Sequence, residues 1–163
     1  MMNDESKPAH PGVHFPPPFL FVAGFLVAWL LESKVARLRF IGVGESTAPI
    51  ETAGSFMVIL GLLLIGWGML TFVRARTAIL PIKSASRLVD VGPYRITRNP
   101  MYTGMSLIYL GSMLVLNMVW ALLIFPLVTW LLYRYVISKE ERYLEAAFGE
   151  EYRDYCRRVR RWI

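Results

Sequence analysis

The longest stretch of this chain without a charged residue runs from Asn99 to Tyr133, and it constrains the fold more than any other feature. An α-helix rises about 1.5 Å per residue, so about 20 residues cross the hydrocarbon core of a bilayer. The stretch is too long for one ordinary span and about right for two slightly short ones. Asn117, near its middle, is typical of a tight turn. The sequence therefore predicts a helical hairpin that enters a membrane and returns to the same side.

Two further apolar segments precede this hairpin. Residues 54–73 carry no charge and predict a clear span. Phe19 to Leu31 is short for a span and is closed by Glu32, and we expect it to cross when the apolar residues from Phe15 are included. Together these segments predict an all-α integral membrane protein with about four transmembrane helices. Small residues that would let the second segment approach another helix closely are Gly61, Gly66 and Gly68.

Charge and composition support lipid as the solvent of these blocks. Hydrophobic residues make up 55% of the 163 residues, and the net charge of +6 is concentrated between and after the blocks. Basic residues that flank apolar segments are typical of membrane proteins in contact with anionic lipid. Because there is no separate basic face, we expect membrane lipids and no nucleic acid as partners.

Few residues could build a metal or redox site. Cys156 is the only cysteine, and both histidines, His10 and His14, lie in the proline-rich N-terminus. A disulfide within one chain is excluded, and we expect no metal. The start, up to Pro18, lacks the basic region and cleavage site of a signal peptide, and we expect it to be retained.

The basic residues also predict the topology. The connector 74–98 and the tail after residue 137 are both strongly positive and are joined by the hairpin, so we expect both on the cytoplasmic side. Four spans would place the N-terminus there too. Lys34, Arg37 and Arg39 then fall on the outer side, against the usual rule. Either that stretch folds back into the interface or the first segment does not fully cross.

From Ser138 onward the sequence predicts amphipathic cytoplasmic helices. Ser138, with Glu141 three residues later, has the form of a capping box. Gly149 interrupts the helix, and aromatic residues then recur at helical spacing opposite several arginines. We expect this last helix to lie on the membrane surface, with its arginines toward lipid phosphates.

Two polar clusters bracket the hairpin. The first is GPYRITRNPMYTG, residues 92–104, and the second begins with Glu140 and Glu141 just past the hairpin. Because the hairpin returns to its starting side, we expect the clusters to meet. An acidic pair facing arginine, tyrosine and asparagine suits a zwitterionic, partly cationic ligand. The same residues also have a purely structural explanation. The arginines could anchor the topology, the tyrosines could form an aromatic belt, and the glutamates could occupy the first turn of a helix.

These clusters resemble segments of the membrane-embedded methyltransferases of the isoprenylcysteine carboxyl methyltransferase and phospholipid methyltransferase type. The first is similar to their R-H-P-x-Y-x-G segment. Residues 140–162 are similar to their E-E-x-x-L-x-x-x-F-G-x-E-Y-x-x-Y-x-x-x-V-x-R-W signature. The resemblance covers roughly residues 74–162, with the hairpin at the family's length.

The resemblance implies one membrane domain, residues 1–163, organised around S-adenosylmethionine as cofactor. Residues 74–163 would form the methyltransferase core that wraps the cofactor beside the hairpin. The hydrophobic segments in 19–73 would complete the acceptor side, behind the polar, proline-rich terminus 1–18. The cofactor site and the C-terminus would then be cytoplasmic.

Positions that match the family's motifs are the expected site residues. Those assigned to the cofactor are Tyr94, Arg98, Asn99, Tyr102, Glu140, Glu141, Tyr152 and Arg161, and those assigned to catalysis are Asn99, Tyr102 and Glu141. Asn99 stands where the carboxyl methyltransferases usually have histidine. Its amide can donate and accept a hydrogen bond but cannot titrate near neutral pH, so we expect no histidine-type base there.

The implied activity is methyl transfer to a lipophilic acceptor at the membrane–cytosol interface. A phospholipid amine, a prenylated cysteine carboxylate and a small hydrophobic metabolite all fit, and the sequence does not choose among them. Two alternatives stay open: a sterol-type membrane reductase that uses NADPH, and a non-catalytic small membrane protein. The sequence also leaves the oligomeric state open.

Overall fold

The computed structural model describes residues 16–41, 46–75 and 87–162, and within these ranges the chain is helical without strands. The all-α prediction is therefore confirmed for this part of the chain. The helices are α1 (Pro18–Lys34), α2 (Ala48–Ala75), α3 (Pro100–Val115), α4 (Val119–Leu132), α5 (Ser138–Phe148) and α6 (Glu150–Arg158). A 3-10 turn (Gly92–Arg95) precedes α3, and a π-helical turn (Tyr133–Ile137) joins α4 to α5. The histidines and residues 76–86 of the basic connector lie outside the described residues.

Two of the described helices are long and apolar enough to cross a membrane by length and composition. They are α2 and the continuous helix Val119–Phe148, which contains α4, the π turn and α5. Many large apolar side chains of these two helices are exposed; Leu63 is 65% exposed and Trp130 is 55% exposed. The other two apolar helices, α1 and α3, have 17 and 16 residues. The count of four transmembrane helices stays a prediction.

The hairpin predicted around Asn117 is present. Asn117 separates α3 from α4 and has φ of 50°, a left-handed conformation that asparagine adopts more readily than most residues. Its Oδ1 accepts hydrogen bonds from the backbone N–H groups of Phe40 (2.8 Å) and Ile41 (3.2 Å). Its Nδ2 donates to the Ile41 carbonyl at 3.0 Å. The segment after α1 is thereby tied to the turn.

The helices α2 and α3 run antiparallel with their backbones in direct contact. A Cβ added to Gly61 would lie 2.6 Å from the carbonyl oxygen of Gly104, and one added to Gly54 would lie 2.6 Å from that of Gly111. The neighbouring atom in both cases is backbone, which cannot turn aside as a side chain can. Small residues at such a contact let two helices approach closely. The second hydrophobic segment therefore packs within the chain.

The predicted glycine face of α2 is correct in part. Gly61 and Gly68 lie in the contact with α3, but nothing lies within 4 Å of a Cβ added to Gly66. Gly54, which the sequence analysis did not select, belongs to the contact instead. The contact follows glycines two helical turns apart, and Gly66 is out of phase with that repeat.

The capping box predicted at Ser138 is wrong. The helix continues through the π turn, so Ser138 lies inside it and has no helix N-terminus to cap. Its hydroxyl donates to the carbonyl of Arg134 at 2.9 Å. The predicted break at Gly149 is present: its φ is 56°, and α6 begins directly after it.

The amphipathic character predicted for the last helix is present in α6. Tyr152, Tyr155 and the following Val159 are buried against apolar residues that include Leu144 and Phe148. Two exposed arginines pair with acidic side chains of the same helix, Arg153 with Glu150 and Arg157 with Asp154, and Arg158 pairs with Asp90 before the 3-10 turn. Contact of these arginines with lipid phosphates stays a prediction.

Replacing Gly61 by alanine should destabilise the protein, because the added methyl group meets a backbone oxygen of α3. We expect Gly61→Ala to lower the free energy of unfolding by about 1–3 kcal/mol, the usual cost of overpacking. Gly66→Ala is the matched control on the same helix and should not destabilise the protein. Unfolding titrations in mixed detergent micelles measure both, and equal stability of the two variants would contradict the backbone contact.

Candidate functional site

The two polar clusters that bracket the hairpin meet at one end of the helix bundle, around a cavity of about 310 Å³. The 3-10 turn, the start of α3, α5 and α6 contribute to its wall. The predicted site residues that line it are Tyr94, Arg98, Asn99, Tyr102, Glu140, Glu141 and Tyr152. Arg161 does not line the cavity but forms an ion pair with Glu141. The structure thus brings all the predicted residues into one neighbourhood.

The cavity has an apolar wall whose individual residues the sequence analysis did not name, although it expected the segments in 19–73 to complete the acceptor side. Ile65, Met69 and Phe72 of α2 line it, together with Met101 and Met105 of α3. No motif marks the α2 residues. The signal that could have found them is the glycine repeat, because it sets which face of α2 turns toward α3. A ligand in this cavity therefore meets charged groups on one side and aliphatic or aromatic side chains on another.

Glu140 of α5 and Tyr102 of α3 form a direct contact across the cavity wall. The Tyr102 hydroxyl donates to Oε1 of Glu140 at 2.7 Å. Pro100 at the first position of α3 suits a helix start, because its missing N–H would have no partner there. Tyr102 is consequently fixed in the first turn of α3, opposite the acidic pair. The carboxyl group of Glu140 is thereby held against Tyr102 in a position partly shielded from water.

Glu141 is held by two arginines. Arg161 donates to both carboxylate oxygens, from Nε to Oε1 at 2.8 Å and from Nη2 to Oε2 at 2.7 Å. Arg98 Nη1 lies 3.3 Å from Oε1. Two-point pairing of this kind is strong and geometrically specific. Hydrogen bonding to Glu141 raises the pKa of the Arg161 guanidinium above its usual value. Glu141 is therefore a fixed, charge-paired carboxylate.

Arg98 has one buried N–H group that makes no hydrogen bond to any described residue. Among the described residues, its Nε is the buried side-chain polar atom without a hydrogen-bond partner. A buried donor left unpaired costs about 1–3 kcal/mol, so an anionic group of a ligand would relieve that cost. Arg98 also lines a second cavity of about 380 Å³, which shares Glu141 and Tyr152 with the first. The arrangement suits a carboxylate or a similar anion beside Arg98.

Tyr94 and Tyr155 form the aromatic floor of the cavity. The Tyr155 hydroxyl donates to the backbone carbonyl of Tyr94 at 2.7 Å, and the Phe72 ring meets the Tyr94 ring edge-on at 5.1 Å. Burial raises the pKa of both phenols well above the usual value, so both stay protonated. Gly92, at the start of the 3-10 turn, has a φ of +62°, a conformation that glycine adopts easily. A side chain at this position would also be crowded, because an added Cβ would lie 2.8 Å from Thr71 Oγ1.

Residues 159–162, which we call the C-terminal strap, lie against the start of α3. The backbone N–H of Arg98 donates to the carbonyl of Arg160 at 2.9 Å. Thr97 Oγ1 and Asn99 Nδ2 both donate to the carbonyl of Arg161, at 3.0 Å and 3.1 Å. Trp162 packs against the main hydrophobic cluster. Thr97 was missed by the sequence analysis, and a lone threonine in a polar segment gives no distinctive signal.

Removing the Tyr102 hydroxyl should destabilise the site, because the Glu140 carboxylate would lose its donor. We expect Tyr102→Phe to lower the free energy of unfolding by about 1–3 kcal/mol, as for other hydrogen bonds to charged, partly buried groups. Tyr135→Phe removes a hydroxyl from an exposed tyrosine and should change stability little. Detergent unfolding titrations compare the two, and a neutral Tyr102→Phe would argue against the contact with Glu140.

Comparison with known proteins supports the resemblance in the motifs. Residues 50–151 match the phospholipid methyltransferase family. The chain is 32% identical over 112 residues to protein-S-isoprenylcysteine O-methyltransferase B of Arabidopsis thaliana, an alignment that covers 68% of this chain and 57% of that one. It is 36% identical over 72 residues to protein-S-isoprenylcysteine O-methyltransferase of Schizosaccharomyces pombe, which covers 44% of this chain and 30% of that one. The chain thus spans well under two thirds of the length of these relatives. Because the family match extends over more than half of its residues, the chain belongs to the phospholipid methyltransferase family.

Proposed function

We propose that this protein transfers a methyl group from S-adenosylmethionine to a lipophilic acceptor. The observation that carries the proposal is the cavity in which both family motifs meet beside an apolar wall. Relatives of this chain are named as O-methyltransferases of S-isoprenylcysteine, and the matching family is named for phospholipids. A prenylated cysteine carboxylate and a phospholipid amine are therefore the leading acceptor classes.

The residues around the cavity fit the charge pattern of S-adenosylmethionine, which carries a carboxylate, an ammonium and a sulfonium. Arg98, with its unpaired buried Nε, suits the carboxylate. Glu140, whose Oε1 accepts a hydrogen bond from a neutral phenol, suits a positively charged group. Tyr94, Asn99, Tyr102, Glu141 and Tyr152 would complete the walls, and Arg161 would close the site from the strap. A cavity of about 310 Å³ lies at the lower end of the range for small-molecule sites.

The protein's part in the reaction is positioning and the exclusion of water. The sulfonium of the cofactor supplies an already activated methyl group. The residues must hold acceptor and donor in line, and alignment of this kind can lower a barrier by about 7–11 kcal/mol. Asn99 cannot act as a titrating base. A carboxylate acceptor needs no base, whereas a protonated amine must first lose a proton.

The acceptor would approach from the apolar side of the cavity. Ile65, Met69 and Phe72 of α2 line that side, which supports a division into an acceptor side before residue 74 and a cofactor core after it. Long helices with exposed apolar side chains favour a membrane location. The basic residues favour a cytoplasmic position for the cofactor end. We therefore propose a multi-pass membrane enzyme that receives its acceptor from lipid and its cofactor from the cytosol.

Calorimetric titration of the detergent-purified protein tests the proposal. We expect S-adenosylmethionine and S-adenosylhomocysteine to bind, and NADPH not to bind. Glu141→Gln should weaken binding of both adenosyl ligands about tenfold or more, because the variant breaks the charge pairs that shape the cavity wall. Glu150→Gln is the matched control, since it alters an exposed glutamate that also pairs with arginines. Binding of NADPH alone would replace this proposal by a reductase, and binding of no ligand to folded protein would refute it.

A further inference from the structure

The side chain of Asn99 is engaged with the C-terminal strap. Its Nδ2 donates to the backbone carbonyl of Arg161 at 3.1 Å, and Thr97 Oγ1 donates to the same oxygen at 3.0 Å. Two side-chain donors of one motif thus converge on a single carbonyl near the C-terminus. The side-chain nitrogen of the residue that the motif assigns to catalysis is thus already used to hold the protein's own backbone.

Asn99 also belongs to the start of α3. Its carbonyl accepts hydrogen bonds from the backbone N–H of Thr103 at 2.9 Å and from the Thr103 hydroxyl at 3.0 Å. Its backbone N–H donates to Thr97 Oγ1 at 3.2 Å, and Thr97 is only 1% exposed. One residue therefore joins the first turn of α3 to the strap, and the connection is supported by a fully buried hydroxyl.

The residue held by these bonds is the one that reaches Glu141. The guanidinium of Arg161 meets both oxygens of the Glu141 carboxylate, at 2.8 Å and 2.7 Å. Two-point pairing tolerates little displacement, because both N–H···O bonds must stay aligned. The position of the Arg161 backbone consequently decides whether its side chain can hold Glu141 at the cavity wall.

We propose that Asn99 and Thr97 are positioning residues. Although Asn99 lines the cavity, its side-chain N–H acts on the ligand through Arg161 and not as a hydrogen-bond donor to the ligand itself. The two residues fix the strap against α3 so that Arg161 holds Glu141 in place and the cavity stays closed. The proposal rests on the proposed function for the identity of the ligand. It replaces the catalytic role that the motif position suggests for Asn99.

The chemistry of the side chain gives a direct way to separate these roles. Aspartate has nearly the shape of asparagine but, when ionised, donates no hydrogen bond. Histidine can donate from a ring nitrogen and is the residue usual at this position in the carboxyl methyltransferases. If Asn99 serves the strap as a donor, Asn99→Asp should release the strap and Asn99→His should retain it.

The first experiment needs no ligand. Hydrogen exchange followed by mass spectrometry measures the protection of the Arg98 backbone amide, which donates to the strap carbonyl of Arg160, and of the amides in residues 157–162. We expect faster exchange there in Asn99→Asp than in the original protein, with protection restored in Asn99→His. Thr97→Val offers the same comparison if Asn99→Asp does not fold. Unchanged exchange in both Asn99→Asp and Thr97→Val would overturn the proposal.

The second experiment is a double-mutant cycle on the affinity for S-adenosylhomocysteine. We expect Asn99→Asp alone to weaken binding about tenfold, the effect of one lost hydrogen bond at a charged site. In the Arg161→Gln background the same change should have almost no further effect, because its route to the ligand is already cut. Independent, additive losses would indicate direct contact and overturn the proposal. If the original protein binds no adenosyl ligand, the proposed function fails, and hydrogen exchange alone then decides the positioning role.

Discussion

Direct contact between the backbones of α2 and α3 determines where the cavity can form. Gly61 and Gly104 each lie against the other's carbonyl oxygen, so no side chain separates the helices there. The glycine repeat ends at Gly68, where an added Cβ would meet Met101 at 2.9 Å and the Tyr94 hydroxyl at 3.6 Å. The close contact therefore gives way to the cavity at the end of the repeat. This is why an apolar face of α2 adjoins the polar motif at the start of α3.

The two glutamates of the acidic pair are adjacent in sequence but have different electrostatic surroundings. Glu140 accepts a hydrogen bond from a neutral phenol, whereas Glu141 is paired with guanidinium groups of Arg98 and Arg161. Away from bulk water such differences have large effects, because charges are less screened. Glu140 is the carboxylate better suited to a cationic ligand group, and Glu141 is the one that holds the protein's own parts together.

The sequence could predict features that follow from lipid as solvent and from strong motifs. The turn at Asn117 and the meeting of the polar clusters follow from a long charge-free run, since a chain in lipid must satisfy its backbone within helices. Rotation of a helix about its axis depends on its partner, and so Gly66 was selected and Gly54 was not. A local pattern cannot tell a helix start from a continuing helix, which explains the error at Ser138. The bond from Thr97 to the strap joins distant residues and leaves no local pattern.

The π-helical turn Tyr133–Ile137 has a consequence for the direction in which α5 faces. An α-helix turns about 100° per residue, and a π turn accommodates extra chain without interrupting the helix. α4 packs against α1, and α5 faces the cavity. The π turn sets the angle about the helix axis between these two faces. The packing of α4 and the direction in which the two glutamates of α5 point can therefore change independently in related proteins. A deletion of one residue within this turn would swing Glu140 and Glu141 around the helix axis without altering any residue of either motif.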